Sequence, residues 1–429
     1  MLEQSIIGGL IRFPKEVTKL GLKPEHFDDT FCEMAYSSML SSIINGRPIN
    51  PLDIAREMGG DYKSNLETLK AWRNEVPSAA MLEGWAEKIK KDHRTRMVKK
   101  ILADAMGSRD DGDAIRAKII TQLASIEDDG RSYETGGKDW MGQVVEKVEE
   151  VWEAKHNGNG VVGIRTGNGR MDEVLGGFHR SDLIVMGARP KMGKTAWLMN
   201  AAKAAAMDGK RVGIASAEMP AWQLGERIVS DIANLPADAF RNGNFDERGF
   251  NALTYGTQVA SELPIRIFDK PKMTVGDIAI QAKAWELSGG IDILFVDYLT
   301  RLNPDVPDKN RTREVGKMVS DLKTLARTMN IPIVCLAQLS RSLEERKDKR
   351  PMPSDLRDSG EIEQEADVIM FLYRDHVYNE DADPRSGEIL IEANRHGPTG
   401  SINCTFDGQF MRWASNEPRD PMDDMEEAA

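Results

Sequence analysis

The stretch 182-DLIVMGARPKMGKTAWLMNAAKAAAMDG-209 decides the fold. It opens on a short apolar run, 182-DLIVMG-187, of the kind expected for a strand buried on both faces. It closes on a helical pattern from Lys194 to Gly209. Between them stands 188-ARPKMGKT-195, with the spacing and the strand-to-helix context of a phosphate-binding loop. Gly193 lets the backbone turn so that successive N–H groups face inward, and the helix start behind it adds its positive dipole end. Lys194 is placed to reach the β- and γ-phosphates of ATP, and the Thr195 hydroxyl to ligate Mg²⁺. Ala188 replaces the usual first glycine, a position where a small residue serves. The expected nucleotide-binding set is Ala188, Arg189, Pro190, Lys191, Met192, Gly193, Lys194 and Thr195.

Outward from this loop, strands and helices alternate. Candidate strands are 182–187, 211–216, 264–268, 291–297, 331–338, 367–373 and 387–393, with helical patterns between them. Several are continuous apolar runs, which predicts a mostly parallel sheet covered on both faces. The α/β domain is expected over 161–415. Three strand tips after the loop carry polar groups. Asp297 ends 291-IDILFVD-297 and, at the carboxyl edge of a strand beside the loop strand, can hold Mg²⁺ through water. Glu218 follows the next strand; it is either a base for the attacking water or a cap for the helix near Pro220. Gln338 ends 331-IPIVCLAQ-338; it is either a γ-phosphate sensor or a turn residue.

Upstream the pattern is different. Residues 1–128 show apolar residues at three-to-four spacing, broken by Pro14, Gly21, Pro24, Asn45–Gly46, Pro51, Gly59–Gly60 and Pro77, which predicts a bundle of short helices. Residues 129–160 read as a linker with a docking helix. That helix, 138-KDWMGQVVEKVEEVWEAKH-156, carries one apolar stripe of Met141, Val144, Val145, Val148, Val151 and Trp152. The stripe packs either on its own domain or on a neighbouring subunit, and the Gly-rich flanks favour the second. The acidic, unpatterned stretch 416–429 predicts a disordered tail.

Composition bounds the function. The chain has 429 residues, roughly two or three domains' worth, and 57 Lys+Arg against 69 Asp+Glu, a net charge of −12. Such a chain does not wrap nucleic acid around its outside, but several copies can focus a few arginines into a ring. Cys32, Cys335 and Cys404 are too far apart for a disulfide framework or a CxxC metal site, and the six histidines show no ligand spacing. No apolar run approaches a membrane span, and 1-MLEQSIIGGLIRFPKE-16 lacks the features of a secretory signal, so a cytoplasmic protein is expected. The basic run 88-KIKKDHRTRMVKK-100 reads as a solvated helix face.

Taken together, these segments resemble the DnaB-type replicative DNA helicases, RecA-like hexameric motors. The resemblance runs along nearly the whole chain and is carried by 3-EQSIIGGL-10, 77-PSAAMLEGWAEKIK-90, 166-TGNGRMDEVLGGF-178, 188-ARPKMGKT-195, 217-AEMP-220, 297-DYL-299, 338-QLSRSLEERKDKRPMPSDLRDSGEIEQEADVIMFLYRD-375 and 394-NRHGP-398. It implies a RecA-like P-loop ATPase domain preceded by a small all-α domain and a linker helix. It also implies ATP and Mg²⁺ as cofactors, and a homohexamer that moves 5′ to 3′ on single-stranded DNA, with primase and a loader as partners. By resemblance Lys194 and Thr195 match the phosphate and metal pair, Glu218 the catalytic base, Asp297 the second metal-linked carboxylate and Gln338 the coupling glutamine. Arg395 matches an arginine finger given to the adjacent subunit, and Arg227 a further arginine near that interface. Two loops match the family's DNA contacts: 301–314, with Arg301, Lys309, Arg311 and Arg313, and 355–360, with Arg357, Asp358 and Gly360. Ala393 stands where many relatives have a lysine, and His396 is a candidate to compensate. A phage origin is compatible with this departure and with the compact N-domain. The α/β core alone also allows a RecA-like filament-forming recombinase, or an ATP-binding loader module. The helical N-domain argues against the first, and Glu218, Gln338 and Arg395 against the second.

Overall fold

The computed structural model describes residues 2–76, 78–108, 112, 115, 118–119, 122–123, 137–157, 160–305, 307–356 and 359–415. Most of the linker flanks, Arg357, Asp358 and the stretch 416–429 lie outside the described residues. The chain forms two compact units, Met1–Gly142 and Gln143–Ala429.

The first unit is helical among its described residues: α1 (Leu2–Arg12), α2 (Thr30–Ile44), α3 (Pro51–Glu57), α4 (Tyr62–Glu75) and α5 (Leu82–Gly107). The starts of α2, α3 and α4 have a local cause. Asp29 accepts from the backbone N–H of Phe31 and Cys32, Asn50 caps α3 with Pro51 at its first position, and Asp61 accepts from Lys63 and Ser64. Ile6, Ile7, Leu10, Tyr36, Met39, Leu69, Leu82 and Ile89 form the core. α1 lies directly on α4 because Gly8 has no Cβ: one placed there would stand 2.2 Å from the Trp72 carbonyl oxygen. In the basic run, Lys90 is buried and paired with Glu87, and Arg96 donates to the His26 carbonyl. That face therefore holds fold contacts as well as solvent.

The helix α6 (Gly137–Asn157) spans the junction between the units. Its stripe is open: Val144, Val145, Val148, Val151 and Trp152 are each 46–61% exposed.

In the second unit the elements are α7 (Gly169–Leu175), β1 (Leu183–Ala188), α8 (Lys194–Met207), β2 (Val212–Ser216), α9 (Ala221–Ile232), α10 (Ala237–Asn242), α11 (Glu247–Glu262), β3 (Ile265–Phe268), α12 (Val275–Leu287), β4 (Ile293–Asp297), α13 (Arg311–Met329), β5 (Ile333–Gln338), α14 (Ser359–Glu365), β6 (Val368–Tyr373), β7 (Ser386–Asn394), β8 (Gly400–Asp407) and β9 (Arg412–Ser415). The described residues form one nine-stranded sheet in the order β3-β2-β4-β5-β1-β6-β7-β8-β9. The first six strands in that order run parallel, and β6 to β9 pair antiparallel. β1, β2 and β4 are buried at every position, as their apolar runs require. Two cores result, one on each face.

Two differences from the sequence reading stand out. β8 and β9 are additional strands. Their burial alternates with polar residues in 400-GSINCTFD-407, so they lack the continuous apolar run that marks the central strands. Also, β4 is not the neighbour of β1, because β5 lies between them.

Candidate nucleotide site

The phosphate loop leaves the carboxyl edge of β1 and enters α8. Gly193 is the residue before the helix, at φ +90°, and no side chain caps the N–H groups behind it. Uncapped amides at the start of a 14-residue helix are donors for an anion. Arg189 of the loop is turned away from this opening. Its guanidinium is buried, donates to Glu344 Oε1 at 2.6 and 3.0 Å and to the Leu339 carbonyl at 2.8 Å, and so fixes the loop to β5's exit.

The sheet order brings the remaining groups to the same edge. Gln338 pairs with Ala188 in register. Thr195 donates its hydroxyl to Asp297 Oδ2 at 3.0 Å, although β5 separates β4 from β1. Asp297 is fully buried, and among the described residues its other oxygen, Oδ1, has no hydrogen-bond partner. A buried carboxylate oxygen without a donor needs a partner from solution, and hard oxygen donors of this kind suit Mg²⁺. The residues present therefore fit that ion.

Charge ties the set together. Burial pushes the Asp297 carboxyl above its usual range, and the Lys194 ammonium and the Thr195 hydrogen bond oppose that rise. Burial lowers Lys194, while Asp297 and Glu218 act in the opposite sense. Arg227, on α9, is likewise lowered by burial and held up by Asp297 and Glu218. Glu218 is exposed just past β2. Lys194, Glu218, Asp297 and Arg227 thus feel one another, and two positive charges face two negative ones.

Tyr298 belongs here too, although the sequence reading assigned it no role. Lys194 Nζ stands 4.0 Å from the centre of its ring. The Tyr298 hydroxyl accepts from Arg301 Nε at 3.2 Å. The segment 297-DYL-299 contains the signal, but an aromatic beside a strand-end acid has no spacing rule to mark it.

Arg395 is not at this edge. It follows β7, whose Asn394 pairs with Val368, and Val368 pairs with Ile184 near the start of β1. Arg395 therefore lies at the amino edge of the parallel strands, opposite the loop. There it donates to the Gln364 carbonyl and lies 3.5 Å from Asp367 Oδ1. His396 Nε2 is 3.2 Å from Asp182 Oδ1, beside that arginine, and the side chain is half exposed. Among the expected DNA residues, Arg311 is held by Glu314 at 3.0 Å and by the Thr300 carbonyl at 3.1 Å. Arg301, Lys309, Arg313 and Gly360 are exposed.

Amides that open at the end of a central parallel strand, faced by a hydroxyl–carboxylate pair, suit the phosphates of a nucleoside triphosphate, and the fold around them defines a RecA-like P-loop ATPase. Comparison with known proteins narrows this. The DnaB-like helicase C-terminal domain profile matches residues 163–415, and the N-terminal domain profile matches residues 1–91. The replicative DNA helicase DnaB of Geobacillus stearothermophilus is 31% identical over 97% of this chain and 94% of its own length. The replicative DNA helicase DnaC of Bacillus subtilis is 31% identical over the same shares. A solved DnaB-like replicative helicase, described with its interactions with primase, superposes with TM-score 0.69 at 26% identity over 97% of this chain and 99% of that one. A second solved structure, an isolated ATPase domain, gives TM-score 0.60 at 31% identity over 64% of this chain and 99% of that one. The chain belongs to the DnaB-like replicative DNA helicase family. It is an ATP-hydrolysing DNA helicase of replication. No helix among the described residues is long and apolar enough to cross a membrane.

Proposed function

We propose that the chain works as a homohexameric ring that moves 5′ to 3′ on single-stranded DNA and separates the duplex ahead of it. The observation that carries this reading is the division of one site between two sheet edges. Lys194, Thr195 and Asp297 stand at one edge and Arg395 at the other, so a complete site needs a neighbour's arginine. The open apolar stripe of α6 supports the same arrangement, since a second subunit would cover it. We divide the chain into a collar at 1–128, a linker with docking helix at 129–160, a motor at 161–415 and an acidic tail at 416–429.

In the motor, the loop amides and Lys194 bind the β- and γ-phosphates of ATP. Thr195 and Asp297 would hold Mg²⁺, which when bound neutralises charge on the phosphate oxygens. Glu218 takes the proton of the attacking water. Gln338, beside Ala188, registers the γ-phosphate and its loss. Arg395 of an adjacent subunit stabilises the transferring phosphoryl group, and Arg227 acts from within the same chain. The exposed Arg301, Lys309 and Arg313, with Arg311, Arg357, Asp358 and Gly360, track the DNA backbone without reading bases. Primase and a loader are the expected partners, and the cytoplasm the expected compartment. A solved DnaB-like replicative helicase is described with its interactions with primase, which supports the first.

The test is unwinding of a forked duplex with a free 5′ tail, with Glu218→Gln beside the wild type. The wild type separates strands with ATP. The variant still binds ATP and loses about 10²- to 10⁴-fold in hydrolysis, and unwinding with it. ATP hydrolysis by the wild type without strand separation, in rings verified by electron microscopy, counts against the motor reading.

A further inference from the structure

The last strand pair of the sheet touches the phosphate loop, a contact the chemistry above does not use. Trp413, on β9, donates its indole Nε1–H to the Gly193 carbonyl at 3.2 Å. The same oxygen accepts from Trp197 N–H at 3.0 Å. Phe406, on β8, packs against Trp413 with ring centres 5.1 Å apart. The two rings fill the space beside the glycine: a Cβ on Gly193 would stand 2.9 Å from each. Arg374 covers Phe406 from outside, 4.2 Å from its ring centre, and donates to the Lys191 carbonyl of the loop at 3.3 Å. Trp413 is also tied to the helix behind the loop, its backbone N–H donating to Asn200 Oδ1 at 2.8 Å.

The consequence follows from peptide geometry. In a trans peptide the C=O and the next N–H point in opposite directions. A Gly193 carbonyl held by the Trp197 amide and the indole together therefore keeps the Lys194 N–H pointing away from both donors. Lys194 is the first residue of α8, so that N–H has no acceptor within the helix. Trp413 is 7% exposed, and its indole N–H is spent on the Gly193 carbonyl.

We propose that Trp413 is a positioning residue for ATP binding: through the Gly193 carbonyl it orients the Lys194 amide toward the phosphates, with Phe406 and Arg374 holding the indole and the loop in place. This deepens the reading of 188–195 as the phosphate loop and rests on it.

The experiment uses the full-length protein. Trp413→Phe removes the donor and keeps an aromatic ring. Site-specific replacement of Trp413 by the benzothiophene analogue of tryptophan puts sulfur in place of the N–H and keeps the bicyclic ring. The expected result, for the loss of one neutral hydrogen bond, is a rise of about 3- to 10-fold in KM for ATP and in the dissociation constant for ADP, with kcat nearly unchanged. The benzothiophene variant shows that rise at an unaltered unfolding temperature, which a purely structural tryptophan would not give. Lys194→Ala is run alongside. If Lys194→Ala loses nucleotide while the benzothiophene variant binds ATP like the wild type, the positioning role is overturned and the phosphate-loop reading stands. If Lys194→Ala also binds normally, both are overturned.

Discussion

Arg395→Ala and Lys194→Ala are each expected to cripple hydrolysis when made alone, and a mixture of the two to regain part of it. The geometry sets the expectation. Arg395 is level with Leu183, because its N–H bonds the Asp367 carbonyl and Asp367 N–H bonds the Leu183 carbonyl. The phosphate loop begins at the other end of β1, at Ala188. At about 3.3 Å per residue the two ends are roughly 16 Å apart, against roughly 7 Å from Cα to guanidinium in an extended arginine. One chain cannot bring its own Arg395 to its own loop. In rings assembled from equal amounts of both variants, a competent interface pairs the intact loop of an Arg395→Ala subunit with the intact arginine of a Lys194→Ala subunit. Random assortment makes about one interface in four competent. Independent interfaces would then recover about a quarter of wild-type turnover, while each parent alone loses ~10³-fold or more. The assay is steady-state phosphate release with single-stranded DNA, on subunits dissociated, mixed and reassembled. Native mass spectrometry verifies the mixing. Verified mixed rings that turn over no faster than the mean of their parents would refute the reasoning, as would wild-type turnover by Arg395→Ala alone.

Three further outcomes are expected. Val148→Asp places a charge in the open stripe of α6, where the wild-type side chain is 61% exposed, and should shift the protein to smaller species in mass photometry while its unfolding temperature stays the same; unchanged assembly would remove the docking role from this helix. Gly8→Ala should cost the N-terminal unit about 1–3 kcal/mol by forcing α1 off the Trp72 carbonyl, whereas Gly84→Ala on α5, with nothing within 4 Å, should be neutral or stabilising; calorimetry that ranks them the other way contradicts the packing argument. Arg211 donates to Asp292 at 2.6 and 2.8 Å and holds that carboxyl below its usual range. A folded pKa below the unfolded one contributes stability above the unfolded carboxyl value and loses it as pH falls through the lowered folded value. Arg211→Met should therefore melt about 1–3 °C lower at pH 7, with the gap closing as pH falls below the ordinary carboxylate range and through the lowered folded value; a gap that persists in acid would assign the effect to packing instead.

Local chemistry was legible in the sequence. The loop 188–195 is contiguous, its strand is an unbroken apolar run, and a helix follows directly, so covalent neighbours alone declare it. The seven candidate runs became β1 to β7, and in β1, β2 and β4 burial on both faces leaves a mark on every residue. β8 and β9 were not legible, because antiparallel strands at the sheet's end bury only alternate residues. Nothing near Trp413 in the chain signals a contact with Gly193, some 220 residues away, nor does any spacing say that Tyr298 would face Lys194.

By itself, then, the sequence determined that the chain binds nucleotide phosphates, that a parallel α/β sheet carries the loop, and that a helical segment precedes it. These depend on short-range patterns of polarity and turn chemistry. Only the tertiary structure decided that β5 separates Asp297's strand from β1 while Thr195 still bonds that carboxylate, that Arg395 faces away from its own loop, and that the final hairpin braces Gly193. Strand order is settled by packing between segments far apart in the chain, and a one-dimensional pattern does not encode which distant edges will meet.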